Sequence, residues 1–207
     1  MLPNEIRTHR GVVSTQSLPV SYSNPGFWKI NRSNDSMSGF EDIDVEALID
    51  DIGERLAQRI RDLELDNPAL IGIRTGGVWL AERLLTVLDM KEPLGELNIA
   101  FYRDDFSRIG IHPTVEPSQL PFDVTDRHLL LVDDILFTGR TVRAAMNEIF
   151  DYGRPRSISL VVLVDRSGRE LPIDANVYGT RITLSAGEHA KLLGPDPLRL
   201  EICATKA

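Results

Sequence analysis

The chain has 207 residues, enough for one α/β domain with a substantial core, and its 42% apolar and 26% charged content is that of an ordinary globular protein. No apolar run approaches the ~20 residues of a membrane helix, no basic-then-apolar signal opens the chain, and a single cysteine, Cys203, excludes an intramolecular disulfide or a cysteine metal cluster. The net charge of −8 disfavours general attraction to nucleic acid, and the expected location is the cytoplasm, with no membrane partner.

Residues 1–40 lack periodicity and are rich in Ser, Asn, Pro and Gly, so they read as a disordered or loosely attached leader before a domain spanning 41–207. Met37 lies just ahead of the first patterned segment, which suggests a misassigned upstream start; an interaction arm anchored by Phe27 and Trp28 is the alternative. From Asp44, a helix N-cap by type, Val45, Leu48, Ile49, Ile52, Leu56, Ile60 and Leu63 recur on one helical face. Asp50, Asp51, Glu54 and Arg55 fall on the opposite, solvated face.

Residues 69–73 read as a short buried strand, followed by Arg74-Thr75-Gly76-Gly77 and a helix running from Val78 through Leu88. A strand, a Gly-rich turn and a helix start make a candidate anion site, because N–H groups and the positive end of a helix dipole converge there. Gly-Gly at a helix start is also common loop chemistry. Leu97, Ile99 and Phe101 alternate along a strand that ends at Tyr102-Arg103-Asp104-Asp105. From Phe106 to Asp126 the chain is poor in core residues, and a loop of that length is more often a lid or binding loop than filler. Arg103 at its base suits a leaving anion, the alternative being a surface ion pair with Asp104 or Asp105; His112 reads as solvated.

The run Leu129 to Val132 is apolar on both faces, as in a buried parallel strand, and leads into Asp133 and Asp134, then Thr138-Gly139-Arg140-Thr141 and a helical segment. Gly139 lets backbone approach a ligand, and the two threonine hydroxyls donate to a phosphate. Two carboxylates beside that turn suit sugar hydroxyls or a hard cation, so the stretch describes a phosphorylated sugar with a metal nearby. A Walker B strand also ends in Asp-Asp, but the chain has no G-x-x-x-x-G-K-[ST] loop; a receiver domain carries an acidic pair too, with more chain after it than is present here. An Asp-Asp turn before a Thr-capped helix remains the plain alternative. Residues 158–164 form another apolar strand, closing at Asp165-Arg166-Ser167-Gly168-Arg169, and Val177-Tyr178 and Leu198 to Ile202 read as short late strands joined by a polar connection. Cys203 reads as a small apolar residue in the last of these. Strands alternating with helices imply a mostly parallel sheet, with ligands beyond the strands' carboxyl ends.

The stretch 129–141 resembles the phosphoribosyl-diphosphate (PRPP) signature of the type I phosphoribosyltransferases: an apolar strand, two acids, a short spacer and Thr-Gly-x-Thr. The resemblance implies that α/β fold, a twisted, mostly parallel sheet flanked by helices with a small C-terminal or hood region. Within it the chain is similar to the pyrimidine-operon regulators that carry uracil phosphoribosyltransferase activity. That likeness rests on Tyr102-Arg103-Asp104-Asp105, on Val132 to Ala144, on Gly153-Arg154-Pro155 and on Leu163 to Ile173. It extends from about Asp44 to the last strand. The 6-oxopurine enzymes carry an Asp before Thr-Gly, where this chain has Phe137.

The resemblance implies transfer of uracil onto PRPP to give UMP and diphosphate, with Mg²⁺ as cofactor. It assigns Phe137, Thr138, Gly139, Arg140 and Thr141 to the 5′-phosphate, and Asp133 and Asp134 to the ribose hydroxyls and to Mg²⁺ carried by PRPP. Arg74, Thr75, Gly76, Gly77 and Arg103 go to the diphosphate, with Arg103, Asp133 and Asp134 as the catalytic residues, and Val164 and Asp165 to the base. Implied partners are PRPP, uracil, UMP, a pyrimidine-operon (pyr) mRNA and further copies of the chain, as a dimer or larger oligomer. Two departures carry expectations. Gly76 replaces the usual Arg of a Thr-Arg-Gly loop, removing a cation beside the diphosphate. Asp50 and Glu54 stand where RNA-binding members carry Thr and His, which disfavours a phosphate backbone, although Arg140, Arg143, Arg154 and Arg156 are available as a basic patch. A weakly catalytic or non-catalytic sensor of UMP or PRPP, acting on RNA or a protein, is the alternative function.

Overall fold

The computed structural model describes residues 43–99 and 117–204. The leader with Met37, Phe27 and Trp28, the segment from Phe101 to Asp105 with Arg103, and His112 lie outside the described residues.

Helix α1 (Val45–Asp62) forms as its periodicity predicts, and the Asp44 side chain accepts from the Ala47 N–H as its N-cap. Val45, Ile49, Ile52 and Leu56 are buried, while Leu63 falls at the C-cap and is half exposed, off the expected apolar face. Arg55 also departs from the solvated face. Its Nη2 donates to the Tyr178 carbonyl at 2.5 Å and it pairs with Asp51, tying α1 to the sheet.

Strands β1 (Ala69–Ile73), β2 (Gly95–Leu97), β3 (His128–Leu136), β4 (Ser157–Arg166) and β5 (Val177–Ile182) make one parallel sheet in the order β2-β1-β3-β4-β5. Helix α2 (Gly76–Val87) follows β1, and α3 (Arg140–Tyr152) follows β3. Because strand side chains alternate between faces, the sheet has two cores. Leu70, Leu130, Val132, Val161 and Leu163 pack with α1 and α2, while Ala69, Ile71, Leu129, Leu131, Leu160 and Val162 pack with Val142, Ala145 and Ile149 of α3.

Two expectations are corrected, and a third is narrowed to the residues before 117. Strand β3 does not stop at the acidic pair but continues in register through Asp133 to Leu136, opposite Asp165. The part of the 106–126 stretch that is described, 117–126, is folded onto the sheet: Glu96 and Gln119 exchange backbone hydrogen bonds of 2.7 and 2.8 Å, and Val124 is buried. The polar connection before Leu198 contains strand β6 (Glu188–Leu193), which pairs antiparallel with β7 (Arg199–Ala204) as a separate hairpin carrying Cys203. Leu192, Leu198 and Leu200 seat that hairpin on the α1/α2 core. Among the described residues no helix is long and apolar enough to cross a membrane.

Candidate active site

The sheet order sets adjacent strands β1 and β3 side by side, so the turns that leave them lie at the same edge of the molecule. Both turns open helices without a side-chain cap, Thr75 before α2 and Gly139 before α3. Apart from the Arg140 N–H, which donates to Thr138 Oγ1 at 3.3 Å, first-turn N–H groups left uncapped in this way can face an anion.

The first turn is built by close packing. A Cβ on Gly77 would lie 2.5 Å from the Val132 carbonyl oxygen, and one on Gly76 would lie 2.5 Å from Asp134 Oδ2 and 2.9 Å from its Cβ. The glycine pair therefore lets α2 start flush against the acidic end of β3. Gly72 contributes the same way, since a Cβ there would come within 2.7 Å of the Val78 Cα. The Arg74–Thr75 peptide is cis, the Arg74 N–H donates to the Leu97 carbonyl at 2.9 Å, and the Arg74 guanidinium pairs with Glu96 at 2.7 Å. Its charge is thus shared with a carboxylate on β2.

Asp133 and Asp134 are consecutive on a strand and so leave it on opposite faces. Asp133 is buried, and its Oδ1 accepts the Asp134 N–H at 3.1 Å; Asp134 is half-buried, with its carboxylate against Gly76. The Asp134 carboxylate and the Gly-Gly turn are one contiguous surface, with the Asp133 carboxylate buried on the other face of the strand. This juxtaposition fits a metal that arrives on a phosphorylated ligand, since Mg²⁺ is commonly held by one or two carboxylates plus substrate phosphates. Among the described residues no group of three or more His, Cys, Asp or Glu side chains is placed to hold a metal by itself.

The second turn is held by a segment 30 residues away in sequence. Gly139 has φ +93°, and a Cβ there would also lie 3.3 Å from the Leu171 side chain. The N–H groups of Glu170 and Leu171 both donate to the Thr138 carbonyl, at 3.1 and 3.0 Å, and Arg169 Nη1 donates to the Phe137 carbonyl. Arg140 pairs with Glu170 at 2.7 Å, and its N–H lies 3.3 Å from Thr138 Oγ1. Phe137 is 38% exposed, with the Arg166 guanidinium 3.8 Å from its ring centroid and Gly168, at φ +114°, leaving no room for a Cβ beside the ring. Arg166 Nη2 also donates to the Glu188 carbonyl at 2.9 Å, joining this stack to the β6–β7 hairpin.

Asp165 and Val164 offer no free side chain at the end of β4. Val164 is fully buried, and both Asp165 oxygens are engaged, Oδ1 by Arg169 and Oδ2 by Arg181 Nε at 2.9 Å. Burial lowers the Arg166 pKa, offset in part by Glu188; burial also opposes Arg181, but its hydrogen bond to Asp165 and the nearby Tyr178 and Asp174 raise it. Both arginines stay cationic over any practical pH.

The structure thus brings together 74–77, 133–134, 137–141 and 165. Arg103 lies outside the described residues. Sequence reasoning gave no role to Arg169, Glu170 or Glu96. The first two sit in the run Leu163 to Ile173, and its part in the likeness to the pyrimidine-operon regulators is the one signal that marks them.

Residues 42–191 match the family model described as phosphoribosyl transferase domain. The chain is 60% identical over 162 residues to a protein of Nitrosococcus oceani called bifunctional protein PyrR, covering 77% of this chain and 92% of that protein. It is 54% identical over 155 residues to a protein of the same name from Pseudomonas fluorescens, covering 75% and 92%. Among solved structures, the glutamine mutant from an analysis of an invariant aspartic acid in HPRTs aligns with TM-score 0.55 and 21% identity, covering 78% of this chain and 90% of that one. A hypoxanthine-guanine phosphoribosyltransferase from Bacillus anthracis aligns with TM-score 0.54 and 19% identity, over 66% and 80%. At that identity these structures speak for the fold. With 150 of its residues under the family model and a relative at 60% identity, the chain belongs to the phosphoribosyltransferase family and, within it, to the PyrR proteins.

Proposed function

We propose that the protein is a uracil phosphoribosyltransferase, converting uracil and PRPP to UMP and diphosphate. The observation that carries this reading is the pairing of two uncapped strand–turn–helix units on neighbouring strands, with an acidic pair between them. A ligand with phosphate at both ends of a sugar matches that arrangement. In the reaction a bond forms between uracil N1 and C1′, the bond from C1′ to the diphosphate oxygen breaks, and the N1 proton is released.

The turn 137–141 takes the 5′-phosphate through its N–H groups and the hydroxyls of Thr138 and Thr141. Asp133 and Asp134 accept from the ribose hydroxyls. The loop 74–77, with Arg74 and Arg103, receives the diphosphate. Mg²⁺ bound to PRPP and held by Asp134 would neutralise charge on the leaving diphosphate. A transition state with little bonding to either group asks for positioning and charge stabilisation more than for proton transfer. The base is placed at the end of β4, over the backbone of Val164 and Asp165, since their side chains are occupied. Further copies of the chain are its expected partners.

Release of diphosphate from PRPP and Mg²⁺ tests this, with uracil, orotate, hypoxanthine and adenine in parallel. Uracil alone is expected to turn over. Asp133→Asn should lower that rate by about 100-fold or more, the scale seen when a group acting on the transition state is lost. Turnover with another base, or an unchanged rate in the variant, overturns the reading.

The shared designation of the relatives as bifunctional supports a second role for the same pocket, sensing UMP to regulate pyrimidine genes. An RNA partner is disfavoured on α1, which exposes Asp50, Asp51 and Glu54. Of the arginines of the basic patch, Arg140 is paired with Glu170, and Arg154 donates to the Phe150 carbonyl.

A further inference from the structure

We propose that Arg169 is a positioning residue for the turn 137–141 and that Asp165 is its anchor rather than a base contact. The inference rests on the reading of that turn as the 5′-phosphate site. A phosphate only accepts hydrogen bonds, so the turn must present N–H groups to it and keep its carbonyl oxygens turned away. In a planar trans peptide the C=O of one residue and the N–H of the next point in opposite directions. Whatever holds the carbonyl of residue i therefore aims the N–H of residue i+1.

The first two carbonyls of the turn, those of Phe137 and Thr138, are held from one segment. Arg169 Nη1 takes the Phe137 oxygen, which directs the Thr138 N–H the other way. The N–H groups of Glu170 and Leu171 take the Thr138 oxygen, which does the same for the Gly139 N–H. Arg169 is itself fixed, because its Nη2 binds Asp165 Oδ1, and Asp165 is fixed in turn by Arg181 on β5. The Asp165 side chain is 8% exposed and that of Arg169 21%, so water competes little for the pair. A guanidinium is suited to this because its planar fork serves two acceptors in a set geometry.

Arg169→Gln, Arg169→Lys and Arg181→Gln test the inference by calorimetric titration with UMP, ribose 5-phosphate and magnesium diphosphate. Arg169→Gln is expected to weaken UMP and ribose 5-phosphate about tenfold, the scale of one hydrogen bond to a charged group, and to leave diphosphate unchanged. Arg169→Lys, whose donors share one nitrogen and lack the fork that spans Phe137 and Asp165, should lie between it and the wild type. Arg181→Gln removes the other partner of Asp165 without touching the turn, so it should weaken UMP and ribose 5-phosphate less than Arg169→Gln does and leave diphosphate unchanged. A general loosening of the domain would instead weaken diphosphate equally, and that result overturns the proposal. So does unaltered ribose 5-phosphate binding in a folded Arg169→Gln protein whose wild type binds it. A wild type that binds neither UMP nor ribose 5-phosphate overturns the functional reading itself, together with this inference.

Discussion

The two turns at the carboxyl end of the sheet have the same local plan and are stabilised in opposite ways. The 74–77 turn is held from within, because two glycines bring backbone into contact with backbone and with the Asp134 side chain. The 137–141 turn is held from outside, by hydrogen bonds from a segment whose own anchor is the buried pair of Asp165 and Arg169. A turn made by steric fit tolerates no added atom. A turn made by a clamp tolerates substitution on its surface but depends on distant side chains.

Gly77→Ala should be the most damaging change, because its Cβ would meet the Val132 carbonyl, which is fixed in the β1–β3–β4 ladder. Urea denaturation is expected to show a loss of about 3 kcal/mol, at the upper end for overpacking, with activity lost as well. Gly76→Ala meets a side chain instead and should cost about 1–2 kcal/mol. The double variant Gly76→Ala/Asp134→Ala should recover part of that stability, because the two closest atoms of the carboxylate are gone while the Cβ at 2.9 Å stays, and should remain inactive. Additive losses in that cycle would mean that Gly76 is needed for something other than its approach to Asp134. The smallest effect belongs to the clamp's exposed tie. Arg140 and Glu170 are about half exposed, so Glu170→Gln should change the unfolding free energy by no more than about 0.5 kcal/mol. A larger loss would show that the exposed pair, and not Asp165 with Arg169, carries the clamp.

The parts of the fold legible in the sequence were those in which a local pattern and the tertiary environment agree. Residues 69–73, 129–132 and 160–164 are apolar on both faces because they lie inside a sheet covered on both sides, and α1 begins where Asp44 predicts. Legibility failed where burial is one-sided or absent. Strand β6 reads Glu188-His189-Ala190-Lys191, largely polar because one side faces solvent, and only its pairing with β7 makes it a strand. The continuation of β3 through Asp133 and Asp134 was hidden by two carboxylates, which are disfavoured in strands and occur here at the site. Within the site, residue types announced the turns and the acidic pair. The role of Arg169 depends on a contact across 32 positions of sequence, and the engagement of Asp165 on a partner in β5, so neither leaves a local trace. Gly76 reads in sequence as a missing cation. In the structure its lack of a side chain is what admits Asp134.

The adjacency of β1 and β3 has a consequence for ligand size. Neighbouring strands lie about 4.8 Å apart and cannot slide without a full register step, which would turn core residues outward. The two proposed anion subsites are therefore fixed jaws of a caliper, whose gauge is set by the hydrogen-bonded ladder of Ala69 to Gly72 with Leu129 to Val132. On that reading, selection among doubly charged metabolites by the span between their charged ends is written into strand pairing. Side chains at the rim can then change over evolutionary time without recalibrating the gauge.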